Sequence, residues 1–343
     1  MSDRGKEDPR PSSKRTQRYQ QSPKEGHRIG RGTFIAGGLA ALGGGIWGLS
    51  RLFQTGNQEV KPILNPIHPS RTLTPEPIKP EYLGLANQLR QLDQEVSRNP
   101  QDFKELAPKI GALAVEMFCK EMGYNPQNYE GRVSYLWNDE YQKALREGAS
   151  CIITQDELSV GRASIDKNAV SINLDMVLYA SITTQVLQES PGLNLFGAVI
   201  HELIHASAPL IPDPESPTGL DKLRGLGILK PNPQNNKGDL TCYDSFRSYL
   251  EEAVVEDATD RIQLKIGVGG VAPDYAVWIQ RYRQGIVDRF FNGDNKPLLR
   301  LQQQSNSSAF FTLIGEKLGH SGPKARLEGE LYTTRLIEQG IYS

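Results

Sequence analysis

The sequence predicts an α+β domain, mostly helical with a small sheet, over residues 81–343, behind an N-terminal membrane segment and a linker. Three observations lead there. Apolar residues recur at helical spacing over 82–122 and through most of the second half of the chain. A stretch of period-two alternation interrupts them near 150–174, and an uncharged segment followed by clustered prolines precedes them all.

Charge divides the N-terminal region. Before residue 32, nine basic residues face four acidic ones in a Ser-, Gln- and Pro-rich setting with few core-forming side chains, which predicts a basic disordered tail over 1–32. Between Arg31 and Arg51 nineteen residues carry no charge, among them Phe34-Ile35-Ala36, Leu39-Ala40-Ala41-Leu42 and Ile46-Trp47. That length crosses a bilayer. The basic side precedes it, so 33–50 is read as a single-pass transmembrane helix that leaves the tail in the cytoplasm and the domain on the non-cytoplasmic side of the membrane. Six glycines from Gly37 to Gly48 dilute the apolar character, and a cleaved signal peptide is the alternative. Six prolines between Lys61 and Pro80 then make 51–80 an extended Pro-rich linker. A net charge of −1 gives the chain no bias toward nucleic acid. The three cysteines, Cys119, Cys151 and Cys242, lack CxxC spacing and are read as ordinary core residues.

Inside the domain, helices are expected over 82–97, carrying Leu85 and Leu89, over 102–122, carrying Phe103, Ile110 and Met117, and over 133–147. Strands follow at 150–154 and, as a hairpin about Asp166-Lys167-Asn168, at 159–165 and 169–174. A long helix comes next, with Ser190 as N-cap, Pro191 at its first position and Pro209 marking its end. Prolines and glycines make 209–240 a long loop of the kind that often carries function. Helix returns at 244–265 and again through 273–339, with 302–308 read as a polar exposed loop in which Asn306-Ser307-Ser308 fits a glycosylation acceptor.

The chemistry is concentrated in His201-Glu202-Leu203-Ile204-His205. Positions i and i+4 of a helix share a face, so both imidazoles can grip one ion while Glu202 leans toward its open position. This is the HExxH pattern of zinc hydrolases, and the predicted cofactor is Zn²⁺. Zinc lowers the pKa of water toward about 7, and Glu202 is placed to take the proton as general base. A catalytic zinc needs a third protein ligand. The pattern with a third histidine is excluded, because Ala208 and Ile211 stand where glycine and histidine would be.

The third donor is sought in Tyr249-Leu250-Glu251-Glu252-Ala253-Val254-Val255-Glu256-Asp257. Here the chain resembles the gluzincins, the thermolysin-like metallopeptidases, in which a glutamate on a later helix, commonly before alanine, completes the site and an acid four positions on steadies the first histidine. The resemblance implies a zincin-like domain that hydrolyses peptide bonds, with Glu252 as ligand and Glu256, in place of the usual aspartate, as the supporting acid. Helix geometry allows the same pair, since Glu252 and Glu256 share a face. Glu251 shares its stripe with Val255 and fits the role less well. The rival account of these acids is a solvated helix face balanced by Arg247 and Arg261. Asp221, in a segment similar to a scrambled aspzincin motif, is the competing ligand.

The resemblance also implies a downstream histidine or tyrosine that stabilises the oxyanion. His320 is the only other histidine after residue 80 and is assigned that role, with Tyr243 and Tyr249 as weaker alternatives. Substrate peptide is expected to pair along 169–174. Two rival functions remain: a non-catalytic zinc-binding envelope or interaction domain, and a zinc hydrolase of small amides.

Overall fold

The structure, a computed structural model, describes residues 77–148, 161–163, 169–183, 190–231, 240–242, 245–268 and 277–341. The tail, the membrane segment, most of the linker and the strand expected at 150–154 lie outside them. Among the described residues no helix is long and apolar enough to cross a membrane.

Helices α1 (Pro80–Arg98) and α2 (Phe103–Met122) follow the apolar periodicity, burying Leu85 and Leu89 on the first and Phe103, Ile110 and Met117 on the second. The segment expected to be a third helix opens instead as strand β1 (Val133–Leu136) and only then becomes helix α3 (Asn138–Gly148). β1 pairs in parallel with β3 (Val170–Asn173), and β2 (Gly161–Ala163) pairs antiparallel with the other side of β3. Tyr135 explains the strand: its hydroxyl stands over Gly111 of α2, where a Cβ would lie 1.5 Å away. The β2–β3 pairing matches the expected hairpin, in the order β1-β3-β2.

The expected helix is α5 (Pro191–Ser207), and a further one that was not expected, α4 (Leu174–Thr183), precedes it. Proline is tolerated in the first turn of a helix and breaks its interior, so Pro191 begins a new element. Leu195, Phe196, Val199, Ile200, Leu203 and Ile204 repeat at i, i+1, i+4, i+5, i+8 and i+9, and all are fully buried. Helix α5 is thereby the centre of the domain, packed against α1, α2, α4, β2 and β3. Ser190 occupies the N-cap position with extended backbone, but its hydroxyl caps nothing. Asp93 of α1 supplies the acceptor, taking the Gly192 N–H at 3.0 Å.

The proline-rich stretch after α5 is not a structureless loop. It folds into an antiparallel meander of β4 (Ile211–Pro212), β5 (Lys222–Arg224), β6 (Gly227–Pro231) and β7 (Leu240–Cys242). Pro212 lies on the edge strand and Pro231 at the end of its strand, positions where a missing N–H does least damage. Helix α6 (Ser245–Leu264) then packs on α5. Beyond it come α7 (Val277–Tyr282), a π-helical stretch (Arg283–Asp288), α8 (Arg289–Phe291), α9 (Lys296–Gln303), α10 (Ser307–Lys317) and α11 (Gly322–Ile341). The stretch expected to be an exposed polar loop holds the turn between α9 and α10, in which Gln302, Ser305 and Ser307 are buried. Asn306 is spent as the N-cap of α10, its side chain accepting from Ala309 N at 3.0 Å.

Helices α10 and α11 touch backbone to backbone. A Cβ on Gly329 would lie 1.9 Å from the Phe311 carbonyl oxygen and 2.8 Å from Gly315 N. Backbone cannot swing aside as a side chain can, so Gly329→Ala is expected to cost about 1–3 kcal/mol of stability in urea denaturation. Unchanged stability would show that the two helices do not cross there.

Candidate metal centre

The HELIH turns of α5 face the first half of α6, and His201, His205 and Glu252 meet between them. Among the described residues this is the one group of three or more His, Cys, Asp or Glu side chains whose ligand atoms all lie within 4.8 Å of one another. His201 Nε2 is 3.1 Å from Glu252 Oε2, and His205 Nε2 is 3.4 Å from Glu252 Oε1. The two Nε2 atoms are 3.2 Å apart. These separations are close to the donor-to-donor edges of about 3.3–3.4 Å that bonds of about 2.0–2.1 Å impose on a tetrahedral site, so the group could hold a metal ion.

The other ring nitrogens explain why the donors point inward. His201 Nδ1 faces Glu256 Oε2 at 2.8 Å, and His205 Nδ1 faces Glu251 Oε1 at 3.2 Å. A carboxylate accepts, so each Nδ1 carries the proton, and a neutral ring then presents its lone pair at Nε2. Two lone pairs 3.2 Å apart repel unless a proton or a cation lies between them.

Without metal, protons take that place. Burial disfavours the imidazolium at both rings, but the carboxylates outweigh it. Glu252 and Glu256 hold His201 well above the usual histidine range, and Glu252 and Glu251 push His205 up to about 9. Burial raises the Glu252 carboxyl, and the two imidazolium groups reverse this, taking it far below the usual carboxylate range.

Glu202 stands beside this group on α5. Burial raises its carboxyl above the usual range and the Glu252 charge adds to that, whereas the two histidines and a hydrogen bond from the Ala163 backbone oppose it. Strand β2 comes this close because residue 161 is glycine: a Cβ there would lie 2.8 Å from Glu202 Cγ.

Glu251, which its helical stripe does not single out, supports His205 through its carboxylate as Glu256 supports His201. Its second oxygen accepts the Leu226 N–H at 2.7 Å, from the two-residue turn between β5 and β6. Gly225 in that turn has φ +59°, and a Cβ there would strike the Glu251 carboxylate at 2.3 Å, so both backbone conformation and space exclude a larger residue. The signal was non-local: nothing in the helical stripe of Glu251 foretells the turn that covers it.

The acidic face is buried and not solvated, and of the two arginines expected to balance it only Arg261 meets one of its acids. Arg247 pairs with Glu330 at 2.7 Å and Arg261 with the buried Asp257 at 2.8 Å, while Arg283 also holds Asp257, at 2.5 Å. Asp221 lies just before β5, where its backbone joins Asp213 and Ser216, and the structure does not bring it to the histidines. His320 sits in the turn after α10, its N–H donating to Gly315 O at 3.0 Å. Among the described residues no hydrogen bond or ion pair joins it to the metal ligands. Tyr249 packs against the core, and Tyr243 lies outside the described residues. Among the described residues strand β3 has both sides taken by β1 and β2, so the expected pairing of a peptide along 169–174 has no free backbone to use.

Comparison of the chain with protein-family models, with curated proteins and with solved structures gives no match in any of the three.

Because a metal ion must displace the protons held at His201 and His205, its affinity should fall as pH drops below about 9. Calorimetric titration in two buffers of different ionisation enthalpy should therefore register proton release near pH 7; no release would contradict the pairing described here. The metal-free protein should behave in the opposite sense. A raised histidine pKa stabilises the fold fully below about 6.5, and that contribution is lost as pH rises through about 9, so its Tm should decline over this window.

Proposed function

We propose that the chain is a zinc-dependent metallopeptidase, held at a membrane by residues 33–50, that hydrolyses peptide bonds. The observation that carries this reading is a three-donor metal site beside a carboxylate that is not one of the donors. His201, His205 and Glu252 would hold the ion, with side chains 14 %, 16 % and 26 % exposed, so that solvent reaches each of them. Bound there, zinc supplies a Lewis acid that makes water a nucleophile near neutral pH and polarises a carbonyl. Glu202 would accept a proton from the attacking water on its carboxylate and return it to the departing amine. Burial favours the protonated form midway through this cycle, and the Ala163 N–H holds the carboxylate in place between the two transfers. Glu256 and Glu251 keep the Nδ1 protons of the two histidines, so that each Nε2 serves the ion.

A purely structural zinc site favours four protein ligands and has no need of a base. Glu202, a buried carboxylate that feels the charges of all three donors without being one of them, therefore supports hydrolysis over the interaction-domain reading. The peptide, rather than a small amide, is the substrate class that the likeness to gluzincins suggests. Glu202→Gln should keep zinc stoichiometry and folding but lower cleavage of an unbiased peptide mixture at least about a hundredfold. Glu252→Ala should lose zinc, while Asp221→Ala should retain one ion per chain. Undiminished cleavage by Glu202→Gln would remove the mechanism, and zinc without any cleavage would move the protein to the binding-domain class.

The orientation rests on the basic tail that precedes the uncharged segment. A reporter fused after Ser343 should be accessible from the non-cytoplasmic side; accessibility from the cytoplasm would reverse it.

A further inference from the structure

Glu251 must present one oxygen to His205 Nδ1 in a fixed direction, yet a carboxylate turns easily about its last bond. Oε2 is anchored by the Leu226 N–H. Oε1 is shared between His205 Nδ1 at 3.2 Å and Gln302 Nε2 at 2.6 Å, so the shorter of its two bonds comes from the glutamine.

Gln302 is fully buried at the end of α9. Its amide cannot be flipped without loss. Oε1 accepts from Gln303 Nε2 at 3.0 Å, and reversal would set an oxygen against the Glu251 carboxylate and two NH₂ groups against each other. Gln303 is in turn fastened to the helix that carries the histidines. Its Nε2 donates to the Ile204 carbonyl at 3.1 Å, and its Oε1 accepts from Ser207 Oγ at 2.7 Å and Tyr124 OH at 2.6 Å. The two glutamines thus bind the last turn of α5 and the carboxylate that orients His205 into one bracket. Ser305, buried and with φ +50°, extends it by donating to Pro209 O at 2.5 Å and accepting from Gly225 N at 2.9 Å.

Resting on the metal-site reading above, we propose that Gln302 is a positioning residue for His205, acting through Glu251 to hold the ring in the orientation that serves the metal. Removing the Gln302 donor leaves Glu251 free to turn about its bond to Leu226, and the direction of His205 Nε2 spreads with it. Groups that orient a metal ligand typically change affinity about 10–100-fold, and Gln302, one bond further out, should lie near the lower end.

The test uses the full chain, with zinc affinity measured by chelator competition and the visible spectrum recorded with cobalt in place of zinc. Gln302→Met keeps the length and removes the amide. It should weaken zinc about tenfold and shift the cobalt bands, and in a Glu251→Ala background it should add no further loss. Gln302→Asn, which draws the amide back by one methylene, carries the same expectation and serves if the Met variant does not fold. Wild-type affinity and spectrum in a folded Gln302 variant would overturn the proposal while leaving the metal site standing. An equal loss with and without Glu251 would also overturn it, since the glutamine would then act on the fold and not through the carboxylate. A wild-type chain that binds neither zinc nor cobalt would sink the metal-site reading itself, and the proposal with it.

Discussion

Two imidazole nitrogens held 3.2 Å apart with their lone pairs converging are not a restful arrangement, and the architecture around α5 is what enforces it. Each ring is held from behind by a carboxylate at Nδ1, and both carboxylates come from the same helix. Glu251, Glu252 and Glu256 therefore divide one task. The outer two fix the rings, and the one between them faces the gap that the rings define. Like charges so close on one helix would repel in isolation. The opposing histidines, as imidazolium or as ligands to a cation, make the group self-consistent.

Holding three carboxylates at such an interface requires donors, since each unsatisfied buried oxygen costs about 1–3 kcal/mol. Glu251 receives three, from a ring, a backbone N–H and an amide, drawn from three separate parts of the chain. Asp257, one residue beyond Glu256 and wholly buried, receives them from Arg261, Arg283 and Asn295. Helix α6 thus has polar groups on several sides and no single apolar stripe. Its position is set as much by hydrogen bonds as by burial of Leu250, Val254 and Val255.

What could be read from the sequence was whatever one element contains. HELIH, the i, i+4 relation of Glu252 to Glu256, the first two helices and the β2–β3 pairing are all local patterns. The failures share the opposite character. The polar run at 302–308 looked solvent-exposed because composition registers polarity and not partners; Gln302 and Ser305 are buried because Glu251, Gly225 and Pro209 satisfy them. The number of prolines after α5 argues for a loop, but it is their place that matters, Pro212 on an edge strand and Pro231 at the end of one. The expectation for His320 rests only on its being the remaining histidine, and rarity carries no information about position. The eleven-residue helix α10, about 16 Å long, separates it from the bracket at Ser305.

The cap on α5 has a consequence for how far the motif can stand alone. Its first turn is capped by Asp93, far earlier in the chain, and its histidines are oriented by residues far later. A synthetic peptide covering 190–208 would carry every letter of the motif yet lack the cap, both Nδ1 acceptors and the third donor. The motif is therefore not a portable cassette: grafted into another helix it would bring two histidines and none of the scaffolding that aims them.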